Sequence, residues 1–304
     1  MKKKPLSRGA SLKCGSISYT INNVIAFGDT CIAYTAQRKQ SAYEQRIGLP
    51  TFPSIIKEFY PIELSSSITR KKSGLFIPAA KQQRFNELRR QFERGAIYQQ
   101  SFSLSDSNHS LPPIRMARAN NTVYSIVDYV RGVILENIRE TPSLLDITDI
   151  IISLCNAVQR LHKDGKVHLD IKPSNIFLFE KDEEELPRVA LFDFNTVTAI
   201  DSIKFAEIPF SPGWSPREQK QGVIQKISYS ADIYAIGAVL FWLISGEKVT
   251  DDMLDRIKRN KFDFLDDFPV LNNRRNARGD ICELLSITLK RDPMERAQCI
   301  EDLM

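Results

Sequence analysis

The chain has 304 residues, 42% of them hydrophobic, enough apolar material for one large or two ordinary globular domains. Its 42 basic and 37 acidic residues leave a formal charge of +5 without a dominating basic tract, so nothing in the charge balance supports nucleic-acid binding. Five cysteines, Cys14, Cys31, Cys155, Cys282 and Cys299, are odd in number and lack a Cys-x-x-Cys pair, which argues against a disulfide framework or a zinc site and for a reducing compartment. No run approaches the ~18 consecutive apolar residues of a membrane span. Met1-Lys2-Lys3-Lys4 leads into polar sequence instead of the apolar core of a signal peptide, so the expected location is the cytoplasm.

Residues 1–16 read as a basic tail. Short β-type runs follow at Tyr19 to Ile25, Ile32 to Ala36 and Ser54 to Phe59, separated by polar or Gly/Pro-containing stretches, and predict a small antiparallel sheet. Between Pro61 and Gln83 lies a long insert whose Arg70-Lys71-Lys72 run reads as a solvated loop. From Phe85 to Phe102 the residues favour a helix, with Phe85, Leu88, Phe92, Ala96 and Ile97 as the apolar stripe that should pack on the sheet. Strand character returns at Val123 to Val130, and a change to helical periodicity across Gly132 places a hinge near Asp128 to Gly132. That divides the chain into 17–130 and 131–304.

In the second part, Ile147, Ile150, Ile151, Leu154, Val158 and Leu161 recur at helical spacing, and Lys163-Asp164-Gly165 supplies a stop. Ile176 to Phe179 and Val189 to Phe192 read as two short strands joined by the acidic run from Glu180 to Glu185. Everything from Ala231 onward reads as helices joined by loops, and no internal repeat is visible.

The helix before Gly165 delivers the chain to His168-Leu169-Asp170-Ile171-Lys172-Pro173-Ser174-Asn175, followed by Asp193-Phe194-Asn195. This stretch gathers chemistry suited to phosphoryl transfer. Asp170 is a carboxylate able to accept a hydroxyl proton, and Lys172 can neutralise phosphate charge. Asn175 and Asp193 offer oxygens to Mg2+, a cation that takes one or two protein ligands and lets water and phosphates complete its octahedron. A lone Asp-x-x-x-x-Asn is more often a capped turn; the octapeptide together with Asp-Phe-Asn is not.

On these residues the chain resembles a eukaryotic-type, bacterial-like Ser/Thr protein kinase from Tyr19 to Leu303. The resemblance implies an α+β, bilobal fold, with a small β-rich lobe carrying one main helix above a larger, mainly helical lobe. It also implies ATP as phosphoryl donor, Mg2+ or in its place Mn2+, and a protein substrate. Asp170 then orients and deprotonates the acceptor hydroxyl, Lys172 contacts the transferring phosphate, and Asn175 and Asp193 hold metal. Lys57, in Ile55-Ile56-Lys57-Glu58, resembles the strand lysine that pairs the nucleotide phosphates, and Ile25, Gly28, Ala33, Asp128, Val130 and Glu93 complete the nucleotide-binding positions.

Pro212-Gly213-Trp214-Ser215-Pro216-Arg217-Glu218 resembles the end of an activation loop, and Glu218 should form a buried ion pair with Arg296. Asp232, in Ser230-Ala231-Asp232, should cap amides of the catalytic loop. Lys172-Pro173-Ser174 and Ser211, placed to bond the catalytic Asp and Lys, favour serine or threonine as acceptor.

Four departures stand out. Of the family's Gly-x-Gly-x-x-Gly only Gly28 remains, in Ala26-Phe27-Gly28-Asp29-Thr30-Cys31, which predicts a weakened grip on nucleotide. Leu169 replaces the arginine that reads a phosphorylated activation loop, which predicts activity independent of that phosphorylation. Asn195 replaces the glycine after Asp-Phe, as the side chain that best tolerates a left-handed backbone. Glu93 is preferred to Glu87 as partner of Lys57, although a strict Phe-x-x-Glu-Ala register would put Gly95 there. Two other functions stay open: a pseudokinase that binds a partner and nucleotide without transfer, and a small-molecule phosphotransferase, which the segments at Ser211 and Ser230 oppose.

Overall fold

The computed structural model describes residues 4–105, 111–112, 114–180, 186–205, 208–271 and 275–304, so most of the acidic run, residues 181–185, lies outside it. The backbone forms two compact units, one ending at Val130 and the other running from Arg131 to Met304.

The first unit is built on β1 (Ser11–Cys14), β2 (Ile17–Phe27), β3 (Cys31–Arg38), β4 (Pro53–Phe59), β5 (Thr69–Lys71), β6 (Gly74–Phe76), β7 (Arg115–Ala119) and β8 (Thr122–Asp128), with the short helix α1 (Ala42–Arg46) and the long α2 (Ala79–Ser105). Six strands form one antiparallel sheet in the order β1-β2-β3-β4-β8-β7, and β5 and β6 pair as a separate hairpin. Part of the expected tail is structural: Ser11–Cys14 pairs with β2 and buries Leu12, while the Cys14 thiol reaches the Met116 carbonyl of β7 at 3.7 Å, bringing the two sheet edges together. Asn120 and Asn121, both at positive φ, make the two-residue turn from β7 to β8, the geometry that matches strand twist.

Helix α2 begins earlier than expected because Ala79 to Arg84 are good helix formers. Phe85, Leu88, Phe92 and Ala96 are buried as the stripe requires, and Phe59 of β4 meets Phe85 and Phe92 at centroid distances of 5.1 and 5.5 Å. Ile97, assigned to the same stripe, is instead 59% exposed, because one residue beyond Ala96 the side chain rotates off the contact face.

A polar cluster is embedded in this apolar core. Glu58, fully buried, accepts bonds from both terminal nitrogens of Arg70 at 3.0 and 2.6 Å, from the Tyr34 hydroxyl at 2.7 Å and from the Tyr124 hydroxyl at 2.8 Å. Burial first, and the neighbouring carboxylate second, push both tyrosine pKa values far up, so the hydroxyls remain donors. Arg70 lies in the expected solvated loop. It is drawn inward because a buried carboxylate without a cation would be costly.

The second unit contains β9 (Gly132–Ile134), α3 (Leu144–Lys163), β10 (Lys166–Val167), β11 (Ile176–Phe179), β12 (Val189–Leu191), β13 (Thr198–Ala199), α4 (Arg217–Lys220), α5 (Ser230–Ser245), α6 (Asp251–Lys258) and α7 (Arg275–Thr288). Helix α3 starts at a capping box of Ser143 and Asp146 and stops where Gly165 takes φ 70°. Strands β11 and β12 pair antiparallel, with β9 on the other edge of β11. The core helix α5 buries nearly every side chain. Among the described residues no helix is long and apolar enough to cross a membrane.

The expected pair of Glu218 and Arg296 forms at 2.8 Å with both side chains buried, and the guanidinium also donates to the carbonyls of Ser230 and Lys290. Arg296→Met should therefore lower unfolding free energy by about 3–5 kcal/mol, since it strands the Glu218 carboxylate; a denaturant-unfolding midpoint shift worth under ~1 kcal/mol would contradict this. Gly237 of α5 permits close approach to α7, for an added Cβ would lie 2.2 Å from Thr288 Oγ1. Gly237→Ala should cost about 1–3 kcal/mol by overpacking, and the added change Thr288→Ala should recover part of the loss in the same unfolding measurement.

Candidate active site

The octapeptide leaves β10 and enters a single turn of 3-10 helix, Pro173–Asn175, before β11. That turn folds Asn175 back on Asp170: its amide nitrogen donates to the Asp170 carbonyl at 2.8 Å and to Oδ2 at 2.9 Å. The other carboxylate oxygen, Oδ1, accepts from Ser211 Oγ at 2.7 Å and lies 3.0 Å from Lys172 Nζ. Lys172 also donates to Ser211 Oγ at 3.0 Å, closing a triangle of carboxylate, ammonium and hydroxyl. Asp170 is thus oriented through both oxygens, and a carboxylate has about four lone-pair positions, so one stays available to an incoming hydroxyl.

Ser211 is itself held by a tight turn. Its carbonyl accepts from the amides of Trp214 and Ser215, and its amide donates to Ser215 Oγ at 2.9 Å. Gly213 makes the turn possible at φ 83°.

Beneath the loop lies Asp232 of α5. Its carboxylate accepts from the amides of His168 and Leu169, each at 2.8 Å, and meets His162 Nε2 at 2.9 Å. Burial opposes this charge, yet the His162 bond and the His168 amide outweigh it and hold the Asp232 pKa below the usual carboxylate value. Burial likewise pushes His168 below the usual imidazole value, against the attraction of Asp232, Asp170 and Asp193. His168 is therefore a neutral core ring, set edge-on against Phe194 at 5.4 Å.

The ladder pairs Ile176 with Leu191, and the Phe192 amide donates to the Asn175 carbonyl at 3.1 Å, so Asn175 and Asp193 emerge at the same end of β11 and β12. With the Asn175 NH2 group committed to Asp170, the oxygen of that amide is the atom left for a cation. Amide plus carboxylate oxygen is a donor set that suits a hard divalent ion whose other ligands are water and phosphate. Among the described residues no cluster of three or more His, Cys, Asp or Glu forms a self-sufficient metal site.

The left-handed backbone falls elsewhere than expected. Asn195 does not take the left-handed conformation; Asp193 does, at φ 64°, and Asn195 sits in a 3-10 turn with its amide donating to the Asp193 carboxylate. The strain is shifted two residues back, onto the acid itself, and Leu169 carries the same φ of 64°.

The other expected positions lie in the first unit. Lys57, half-buried, sits in β4 between Ala33 of β3 and Ser125 of β8. Ile25 is 52% exposed near the end of β2, and Gly28 closes the turn to β3 through its amide and the Cys31 carbonyl. Gly28 does not use a positive φ, and the carbonyls of Asp29 and Thr30 are held by the amides of Ile62 and Tyr60. Asp128, exposed at the end of β8, is bound by Arg115 at 2.5 Å, and Val130 is half-buried just beyond. Glu93, expected opposite Lys57, has its carboxylate held by Arg118 of β7 at 2.9 Å.

Two contributors left no readable sign in the sequence. Gln219 of α4 is buried and donates from one amide nitrogen to the carbonyls of Leu169 and Pro209, both at 2.9 Å, joining the catalytic loop to the strand of chain before Ser211. Thr196 donates to the His168 carbonyl at 2.8 Å. Only the neighbouring Glu218 and the Asp-Phe motif could have pointed to them.

Residues 99–304 match the protein kinase domain family. Among characterised relatives, the serine/threonine-protein kinase PrkC of Bacillus subtilis is 29% identical over 168 residues, 53% of this chain and 24% of PrkC. The ovarian-specific serine/threonine-protein kinase Lok of Drosophila melanogaster is 29% identical over 150 residues, 47% of this chain and 32% of Lok. The chain thus spans about a third or less of the length of these relatives. In the solved structures, PpkA-294 in its apo form has the same fold at a TM-score of 0.68, with 24% identity over 98% of each chain. The kinase domain of Mycobacterium tuberculosis PknI follows at 0.59, with 16% identity over 98% of this chain and 96% of that one. The family match runs through both Asp170 and Asp193 and the fold agrees with it, and on these grounds the chain belongs to the protein kinase family.

Proposed function

We propose that the chain transfers the γ-phosphoryl group of ATP to serine or threonine hydroxyls of protein substrates, with Mg2+, or Mn2+ in its place, as the metal. The protein kinase family in general uses ATP and a divalent metal. The observation that carries the proposal is the Asp170 carboxylate, held at one oxygen by Ser211 and Lys172 and at the other by Asn175. In that setting Asp170 receives the proton of the acceptor hydroxyl, and the Lys172 ammonium lies where it lowers the cost of negative charge beside the acid. A divalent cation bound by Asn175 and Asp193 would neutralise phosphate charge. Lys172-Pro173-Ser174 and the bonded Ser211 support serine or threonine over tyrosine as acceptor. Similarity to PrkC of Bacillus subtilis supports a bacterial setting.

The pseudokinase reading draws on one observation, the β2 to β3 turn. It has a single glycine without positive φ, carries Asp29, and has the Gly28 amide bonded to the Cys31 carbonyl, so that amide is already engaged where the family's turn offers amides to phosphates.

Labelled ATP, Mg2+ and a generic protein substrate test the proposal. Asp170→Ala and Asp193→Ala should each reduce incorporation by about 10²–10⁴-fold; equally low incorporation by wild type and both variants would overturn it. A second expectation concerns Leu169, which packs in an apolar cluster with Val167, Ile203, Ile227 and Ala231 where a phosphate-reading arginine would otherwise stand. Phosphatase treatment should leave the rate within about twofold of untreated enzyme, since no cation at that position awaits a phosphate; a fall below roughly a tenth would show a switch the apolar cluster does not explain.

A further inference from the structure

We infer that Glu58 is a positioning residue for Lys57: its buried bonds to Arg70, Tyr34 and Tyr124 fix the register of β4 and so aim Lys57. The inference rests on the proposed role of Lys57 in pairing nucleotide phosphates. It adds a residue, and a segment of the fold, to that role.

Side chains alternate along β4. Ser54, Ile56 and Glu58, all fully buried, share one side, and Ile55, Lys57 and Phe59 share the other, where Phe59 packs on Phe85 and Phe92 of α2. Adjacent residues of opposite charge therefore point to opposite sides of one strand. A slip of one residue would bury the Lys57 ammonium in the core and expel Glu58. An apolar residue at position 58 would tolerate small displacements; a carboxylate with four bonds of defined direction does not.

The partners come from the elements that bracket β4. Tyr34 lies in β3, opposite Ile56, and Tyr124 lies in β8, opposite Glu58 itself. Both neighbouring strands are thus tied to β4 through side chains in addition to the backbone ladder. Arg70 arrives from the β5–β6 hairpin and supplies the positive charge, and its Nε donates to the Lys4 carbonyl at 2.8 Å. The Tyr34 hydroxyl in turn accepts from the Leu6 amide at 3.0 Å. At the hairpin turn, Gly74 packs so closely on Asn120 that an added Cβ would lie 2.3 Å from its backbone. The insert after Pro61 is therefore a brace for the lysine-bearing strand.

Stability alone would not require such a cluster, because well-packed apolar residues often replace a buried ion pair without loss. Registry is the property that they would not supply.

ATP binding by calorimetry, at a temperature where circular dichroism shows each protein folded, separates the alternatives. Arg70→Met should weaken ATP binding by about 5- to 10-fold, and Tyr124→Phe, a milder change, by about twofold. Lys57→Met should also weaken binding, and adding Arg70→Met to it should then change nothing further. Wild-type affinity in Tyr124→Phe and Arg70→Met, or an equal loss from Arg70→Met with and without Lys57, would overturn the inference; if Arg70→Met does not fold, Tyr124→Phe with and without Lys57→Met decides. Wild-type affinity in Lys57→Met would instead overturn the proposed role of Lys57, whatever Arg70→Met does.

Discussion

A single buried carboxylate, Asp232, carries the geometry of the catalytic loop. Its bonds to the amides of His168 and Leu169 keep the chain in a bend that places Leu169, a branched residue, at φ 64°. A left-handed backbone at such a residue costs about 1–3 kcal/mol and persists only where surrounding contacts over-determine it. Asp232 supplies that determination, since charge-assisted bonds to amides are roughly twice as strong as neutral ones. Leu169 then turns its side chain into apolar neighbours, and the next residue, Asp170, is presented.

From Asp232 the constraints form a closed circuit. The loop holds Asp170, Asp170 binds Ser211, and the turn after Ser211 leads into α4, where Gln219 bonds back to Leu169 and Glu218 receives Arg296. Arg296 completes the path by donating to the Ser230 carbonyl, two residues before Asp232. Several buried polar groups of the second unit thus serve the placement of one largely buried acid. The first unit repeats the principle with Glu58, whose buried charge orders three strands beside Lys57.

Much of this was legible because chemistry at fixed spacing leaves few alternatives. Asp170, Asn175, Ser211, the Glu218–Arg296 pair and the Asp232 cap could be read from motifs, and α3 and the stripe of α2 from periodicity. Other features were hidden for physical reasons. β1 has a single buried residue, Leu12, in a four-residue edge strand, too short for an alternating pattern to show. Arg70, in a basic run, looks like a surface residue until its distant partner Glu58 is known. The left-handed position fell on Asp193 instead of Asn195, because the chain bends there, between the end of β12 and the 3-10 turn that holds Asn195, and residue preference does not override that bend. Glu93 bonds Arg118 of β7, a contact between α2 and the sheet that sequence spacing alone does not reveal.

The most direct test is the rate of phosphoryl transfer from ATP to a generic protein substrate by Asp232→Asn, an isosteric change that removes the charge beneath the loop without touching Asp170. The wild type should transfer phosphate, and the variant, still folded by circular dichroism, should do so about 10- to 100-fold more slowly, as expected for losing about 1.5–3 kcal/mol of charge-assisted bonding. Equal rates in the two proteins, or no transfer by the wild type, would contradict the account.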